Sequence, residues 1–366
     1  MPASIPKTTR VIINANPPVG ELKPDTFKVE ERPLPELQEG QVLVKVLALG
    51  NEPAQRNWLD TSIDERRLYA PPIRKGDVVR SPAIGEVLAS KSGKWKEGQR
   101  VTGFFGWTEY AVVKEEEITR EAANVKGQSE WISLGALGLT GLTAWAGAFD
   151  VCHIKPEHTV LVSGAAGAVG SAFVQIAKNV VGCAKVVGVA GGKEKCDWVK
   201  KLGADECLDY KVGDTSKRGE VPQPVAPISG DSPDFEKNLK AALPDYADVF
   251  FDNVGGKVLD LGLTVVKRYG FICQCGAISG YQGKPLTLEH YGEVIMNRLT
   301  IKGMILMDHV KLIPQASQEL QKWVEEGKID VTEGETVVDT KFEDVPKTFQ
   351  LLFTGGNKGK LVTKLV

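Results

Sequence analysis

The stretch TVLVSGAAGAVGSAFVQIAK, residues 159–178, decides the fold. A short apolar run meets a glycine turn, and beyond the turn apolar residues recur at helical spacing, so the stretch is read as strand, tight turn and helix. Ala165, Gly167 and Gly170 occupy the three positions of a GxGxxG-type fingerprint. Gly167 would let the backbone approach a pyrophosphate, Gly170 would let helix and strand pack closely, and the helix start would offer N–H groups to the anion. Such turns also occur with no ligand, so the surrounding rhythm matters.

That rhythm supports a nucleotide-binding domain. KVVGVAG is followed by KEKCDWVKKLG, DVFFDNVGG by KVLDLGLTVVKRYG, and then FICQCGA ends the series. Apolar runs alternating with helical patterns imply βαβ units and a parallel, Rossmann-type sheet. Residues 11–113 read differently, as short strands such as QVLVKVLAL, AIGEVLA and TEYAVV punctuated by Gly, Pro and Asn, which predicts a compact β domain. After the helix QASQELQKWVEEG the chain returns to short strands in ETVVDTKF and GKLVTKLV, so the tail is expected to rejoin the first domain. The expected division is 1–132, 133–327 and 328–366. Residues 212–234, rich in Pro, Gly, Ser and charge, read as an exposed loop insertion.

The second strand of the parallel sheet ends in VAGG and is followed by Lys193 and Lys195. An NAD-selective site places an acid at that strand tip, where it takes the ribose hydroxyl and repels a phosphate. Without one, and with two ammonium groups just beyond, the pocket should accept a 2′-phosphate and hence NADPH over NADH. The bland alternative is two solvated lysines opening a helix.

Composition bounds the remaining classes. Chain length, 366 residues, favours two domains, and 45 Lys and Arg against 47 Asp and Glu leave no general attraction for nucleic acid or anionic membrane. The N-terminal residues MPASIPKTTR lack the apolar run of a secretory signal, and no uninterrupted apolar run of about 18 residues is present, so a cytoplasmic protein is expected. Six scattered cysteines without CxxC spacing read as free, mostly structural thiols. His153, His158, His290 and His309 fit no metal-binding spacing, and no GxSxG elbow suggests a hydrolase. With no metal to polarise a carbonyl, the more natural chemistry is hydride addition to a conjugated alkene, aided by a hydrogen-bond donor at the oxygen that gains charge.

The motifs GWTEYAVV, GLTAWAG, AAGAVGSAFVQIAK, AGGKEKC, LGADECLDYK, FDNVGG, CGAISGY and GGNKGKLV cover nearly the whole chain in one order. Together they resemble the zinc-independent medium-chain dehydrogenases/reductases of the leukotriene B4 dehydrogenase, or prostaglandin reductase, family, which includes alkenal double-bond reductases and curcumin reductase. Where zinc alcohol dehydrogenases carry Gly-His-Glu, this chain has RSPAIGEV, with Ser81 and Pro82. The resemblance implies a GroES-like β domain from both chain ends, a Rossmann NADP-binding domain between them and a cleft at their junction. By family position Lys195 and Tyr210 would hold the 2′-phosphate, and Gly167, Ala168, Val169 and Gly170 the pyrophosphate. Asn253, the turn Cys275, Gly276, Ala277, Ile278, Ser279 and Tyr281, the run Met304, Ile305 and Leu306, and Asn357 would line the cofactor, with Thr143 near its nicotinamide end. A homodimer through LTIKGMIL is the family's habit.

Tyr281 is the expected hydrogen-bond donor to the substrate oxygen, its phenol protonated at neutral pH; the alternative is a tyrosine that only packs. The family's Asp-Pro-Tyr-Met-Arg reads EPAQR here, so Ala54 replaces a pocket tyrosine beside Arg56, and Gln282 alters the mouth of the site. The leading expectation is NADPH-dependent reduction of α,β-unsaturated aldehydes or ketones without metal. Quinone or pathway-specific enoyl reduction, and a non-catalytic NADPH-binding sensor or scaffold, are the alternatives.

Overall fold

The computed structural model describes residues 6–211 and 233–366. Nearly all of the expected insertion, 212–234, therefore lies outside the described residues. The chain opens with β1 (Thr8–Asn14), β2 (Phe27–Pro33), β3 (Gln41–Gly50), the short helix α1 (Gln55–Leu59), β4 (Ala83–Ser90), β5 (Arg100–Gly103), β6 (Tyr110–Lys114) and β7 (Ile118–Glu121). Next come α2 (Leu139–Ala146), β8 (Thr159–Ser163), α3 (Ala168–Gln175), β9 (Lys185–Ala190), α4 (Lys193–Lys201) and β10 (Glu206–Asp209). The series continues through α5 (Pro233–Ala242), β11 (Ala247–Asp252), α6 (Gly256–Leu263), β12 (Val266–Gln274), α7 (Gly292–Met296), β13 (Thr300–Gly303) and α8 (Ile313–Glu325). It closes with β14 (Glu335–Thr340), α9 (Val345–Thr354) and β15 (Lys360–Leu365).

Two compact units result. The first comprises Met1–Gly135, Glu335–Leu352 and Lys360–Val366, and the second Ala136–Gly334 and Phe353–Gly359. In the first, β14, β15, β3, β4, β5 and β7 lie side by side, β6 also pairs with β3, and β1 and β2 form a separate antiparallel ribbon. From Gly85 onward β4 alternates buried and half-buried residues, as a strand with one face on a core must. Trp107 fills that core, its ring centroid 5.0 Å from Phe27 and 5.5 Å from Phe349.

The second unit is a six-stranded sheet in the order β10-β9-β8-β11-β12-β13, with every neighbouring pair parallel. This is the doubly wound order that leaves a crevice outside the carboxyl ends of the strands. Short runs of Val, Phe and Ile form its strands because they are covered on both faces. On one side Phe173 of α3 stacks on Phe251 of β11 at 4.0 Å. On the other, Phe235, Leu239, Val258 and Leu261 pack over Phe250.

The unit boundaries differ from those expected, for reasons visible in the packing. Trp131 and Leu134 belong to a core cluster with Ile84 and Val362, which carries the first unit past residue 132. Ile329 and Val331 are buried, and Gln175 grips Asp330 by accepting its N–H at 2.6 Å and donating to its carbonyl at 3.2 Å, which carries the second unit past 327. Residues 353–359 also leave the returning tail, because the Gly359 N–H donates to the Ala166 carbonyl at 2.8 Å and the Lys358 ammonium sits 5.2 Å from the Trp198 ring.

Candidate active site

The site grows from the carboxyl ends of the parallel strands. After β8 the backbone turns at Gly164 with φ +58°, and the Gly167 N–H closes the turn on the Gly164 carbonyl at 2.8 Å. A Cβ at Gly170 would fall 2.3 Å from that same carbonyl oxygen, so only glycine lets α3 start this close to the strand. Ala168, Val169 and Gly170 form the first helical turn, whose amides have no acceptor within the helix. Gly164, rather than the fingerprint position held by Ala165, takes the strained backbone, which is why alanine is accepted there.

The phosphate end departs from the sequence reading. Lys193 is exposed and ion-paired with Asp197 one helical turn away, so it does not serve the site. Lys195 is part-buried and its Nζ donates to the Gly355 carbonyl at 2.9 Å. Lys211, rather than Lys193, comes near Lys195: from an ideal Cβ on Gly355, its Nζ lies 3.7 Å away and that of Lys195 lies 3.9 Å away. Burial first, and then the charge of Lys211, hold the Lys195 ammonium below the ordinary lysine value. Two ammonium groups thus converge near Gly355, with no carboxylate at the tip of β9. The nearby acid, Asp209 at the end of β10, is spent on the turn, accepting the Gly192 N–H at 2.8 Å and the Lys211 N–H at 2.9 Å. Tyr210 lies against the tip of β9, where a Cβ on Gly191 would come within 2.5 Å of its hydroxyl, and burial pushes its phenol well above the usual range.

At the other end of the crevice a single buried carboxylate ties three strands together. Asp252, fully buried at the end of β11, accepts from the Ser163 hydroxyl of β8, the Val254 N–H at 3.2 Å, the Gly255 N–H at 2.9 Å and the Gln274 Nε2 of β12 at 2.7 Å. Its own carbonyl accepts the N–H groups of Cys275 and Gly276 at 2.8 and 3.2 Å. Burial raises this carboxyl above the ordinary aspartate value, and its hydrogen bonds work in the opposite direction. Asn253 is fixed alongside, donating its N–H to the Ser163 hydroxyl at 2.9 Å and its side-chain amide to the Ser163 carbonyl at 2.8 Å.

The loop held by Asp252 and the segment after β13 flank an open cleft of about 300 Å³. Cys275, Gly276, Ala277, Tyr281, Met304 and Ile305 line it, joined by Gln274, Gly303 and Asp308. The Tyr281 hydroxyl accepts the Ala277 N–H at 3.2 Å, which seats the phenol on the cleft wall. Burial pushes the Cys275 thiol well above its usual value, so it stays protonated. Ile278 and Ser279 do not line the cleft: Ile278 packs on the core beneath and Ser279 donates through Oγ to the Val254 carbonyl at 2.7 Å. Leu306 is buried beside it.

Residues 10–120 match the family described as the N-terminal domain of oxidoreductase, and residues 168–325 the family described as zinc-binding dehydrogenase. The NADPH-dependent curcumin reductase of Escherichia coli is 31% identical over 366 residues, covering 96% of this chain and 95% of the relative. An uncharacterized membrane protein of Saccharomyces cerevisiae, YML131W, is 33% identical over 356 residues, covering 93% and 91%. The crystal structure of CurA from Vibrio vulnificus in complex with NADPH superposes with a TM-score of 0.82 at 28% identity, covering 98% of this chain and 99% of that one. The chain belongs to the zinc-independent branch of the medium-chain dehydrogenase/reductase family. It is an NADP-dependent oxidoreductase acting on carbon–carbon double bonds, and its cofactor is NADPH.

The residues present fit that cofactor, because the lysine pair and the α3 start supply cations and amides for its phosphates. In this reductase the side chains at the family's metal-binding position do other work: the buried Ser81 hydroxyl donates to the Gly50 carbonyl at 2.9 Å. Among the described residues no cluster of three His, Cys, Asp or Glu side chains could hold a metal, and no helix is long and apolar enough to cross a membrane. Three expected site residues are engaged locally. Thr143 donates to the Leu139 carbonyl of its own helix at 2.7 Å, Asn357 donates to the Gly359 carbonyl at 2.9 Å, and half-buried Ala54 opens α1. Arg56 is corrected from pocket residue to structural tie: it is 1% exposed, donates through Nε and Nη2 to the Gly20 carbonyl, and pairs with Asp60 at 3.1 Å.

Asp252→Asn would turn an amide toward the Gly255 N–H or the Gln274 amide and leave a buried donor unpaired. The expected cost is about 1–3 kcal/mol of stability, read by denaturant titration, together with a raised KM for NADPH; wild-type values for both would remove Asp252 from its positioning role.

Proposed function

We propose that this enzyme reduces the alkene of α,β-unsaturated aldehydes or ketones, with hydride delivered to the β-carbon and the carbonyl oxygen held by the Tyr281 phenol. The observation that carries this reading is the cleft itself, where Tyr281 shares the lining with Ala277, Met304 and Ile305, and with the polar side chains of Gln274 and Asp308. Bound NADPH supplies the hydride. The protein's part is to present the substrate, exclude water and stabilise charge as it develops on oxygen, where a phenol with a pKa of about 10 remains a donor at neutral pH. Lys195, Tyr210 and Lys211 bind the 2′-phosphate, Gly167 to Gly170 the pyrophosphate, and Thr143, Asn253 and Asn357 border the nicotinamide end. The six free cysteines suit a reducing, cytoplasmic setting.

The deciding assay follows NADPH oxidation with an enone and its saturated ketone. Turnover of the enone alone is expected, with Tyr281→Phe lowering kcat more than the KM for NADPH; turnover of the saturated ketone would instead indicate carbonyl reduction.

The lysines give an independent check. Removing Lys195 or Lys211 should weaken NADPH by about 1.5–3 kcal/mol and leave NADH nearly unchanged, whereas Lys193→Ala should alter neither. Because the Lys195 pKa is lowered in the free protein, it loses its proton before an ordinary lysine as pH rises. The KM for NADPH should therefore climb at pH values where that for NADH is still flat, and parallel profiles would refute the assignment.

We also propose a homodimer through β13. This strand is the edge of its sheet, all four of its residues are exposed, and Ile295, Met296, Ile301, Met307 and Val310 present apolar side chains around it. Sedimentation should give twice the chain mass for the wild type and a monomer for Ile301→Lys; a monomeric wild type would overturn this.

A further inference from the structure

Gly188, in the middle of β9, faces α4, and a Cβ placed on it would lie 2.8 Å from Val199 Cγ1 and 3.2 Å from Cys207 Sγ. The sulfur of Cys207 therefore reaches from β10 into space that any other residue at 188 would fill, and it meets the underside of α4. Cys196 lies three residues before Val199 on the same helical face, with its sulfur 3.9 Å from the Ala190 carbonyl, two residues further along β9. These contacts bring both sulfurs between β9, β10 and α4, near enough for each thiol to perturb the other. That proximity lowers the Cys196 thiol pKa and raises that of Cys207; the charge of Lys200 favours either thiolate, while Asp209 opposes both and Asp197 opposes Cys196. Cys196 is buried, but Cys207 is only half-buried and lies on an edge strand, which gives a small oxidant a way in. Cys152 and Cys273, the other neighbouring thiols, are both buried.

We propose that Cys196 and Cys207 are an oxidisable dithiol which hydroperoxides close to a disulfide, weakening the hold on the 2′-phosphate. The second half of this rests on the reading of Lys195 and Tyr210 as phosphate ligands. The Cys196 thiolate attacks one peroxide oxygen, the O–O bond breaks, and sulfenic acid forms as the other oxygen leaves as water or alcohol. The Cys207 sulfur then attacks the sulfenic sulfur and expels water. Two thiols are oxidised, one hydroperoxide is reduced, and both thiol protons leave on the oxygens. An S–S bond of about 2.05 Å draws the first turn of α4 toward β10. Lys195 is the residue before Cys196 and Tyr210 is three past Cys207, so both move with the closing bond.

The test treats the full-length enzyme with hydrogen peroxide, blocks free thiols and digests with trypsin. Cleavage after Lys195, Lys200, Lys201 and Lys211 would leave the disulfide joining peptides 196–200 and 202–211. The expected result is that linked pair, two mass units lighter than its separate thiols, with the KM for NADPH raised about tenfold or more, that for NADH nearly unchanged, and recovery with dithiothreitol. Cys207→Ser should keep basal activity and ignore peroxide. Absence of the linked peptides, or their presence with an unchanged KM for NADPH, overturns the proposal. If the link forms but oxidation, like Lys195→Ala in the reduced enzyme, affects NADPH and NADH equally, the phosphate reading fails and the dithiol stands.

Discussion

The nucleotide-binding unit depends on burying one carboxylate where three parallel strands end. Asp252 takes donors from the ends of β8 and β12 and from the turn that follows β11, and its backbone carbonyl holds the loop that lines the cleft. An ionised group removed from water is costly unless its lone pairs are filled. Here the donors that fill them are the very groups whose positions shape the crevice, so the cost of burial and the geometry of the site are one constraint. Any slip of β8 against β11 or of β11 against β12 would strand a buried donor.

The far end of the crevice follows another logic. Lys195 and Lys211 come from different elements, and their ammonium groups approach the same point above Gly355 although like charges repel. Such an arrangement stores a preference for a dianion, because a phosphate relieves both the repulsion and the poor solvation of Lys195. The Gly355 carbonyl, which accepts from Lys195, joins residues 353–359 to this end of the unit and explains why that segment parts from the tail around it. Cys196 and Cys207 lie close to the same helix turn.

Much of this was legible in the chain alone. Alternating apolar runs and helical patterns, the glycine turn at 164–170 and the missing acid after β9 were enough for a parallel sheet, a dinucleotide and a preference for phosphate, because each is a local property of spacing or residue type. Tyr281, Met304 and Ile305, which the motifs single out, lie along one cleft. The errors concern which side chains meet. Lys193 and Lys195 are two apart on a helix and so point in different directions, one to Asp197 and one to Gly355. Arg56 looked like a pocket cation, yet its guanidinium is consumed by the Gly20 carbonyl and Asp60, contacts that sequence spacing does not announce.

The sequence by itself determined the architecture class, the nucleotide fold and the sign of charge wanted beyond β9, since periodicity and backbone requirements act over a few residues. Only the tertiary structure decided that Lys211 rather than Lys193 completes the cation pair, that Asp252 ties three strands, and that Cys196 faces Cys207. Each of these is a meeting of side chains from separate strands and helices, and its energy is set by distance and burial in three dimensions, which no local pattern encodes.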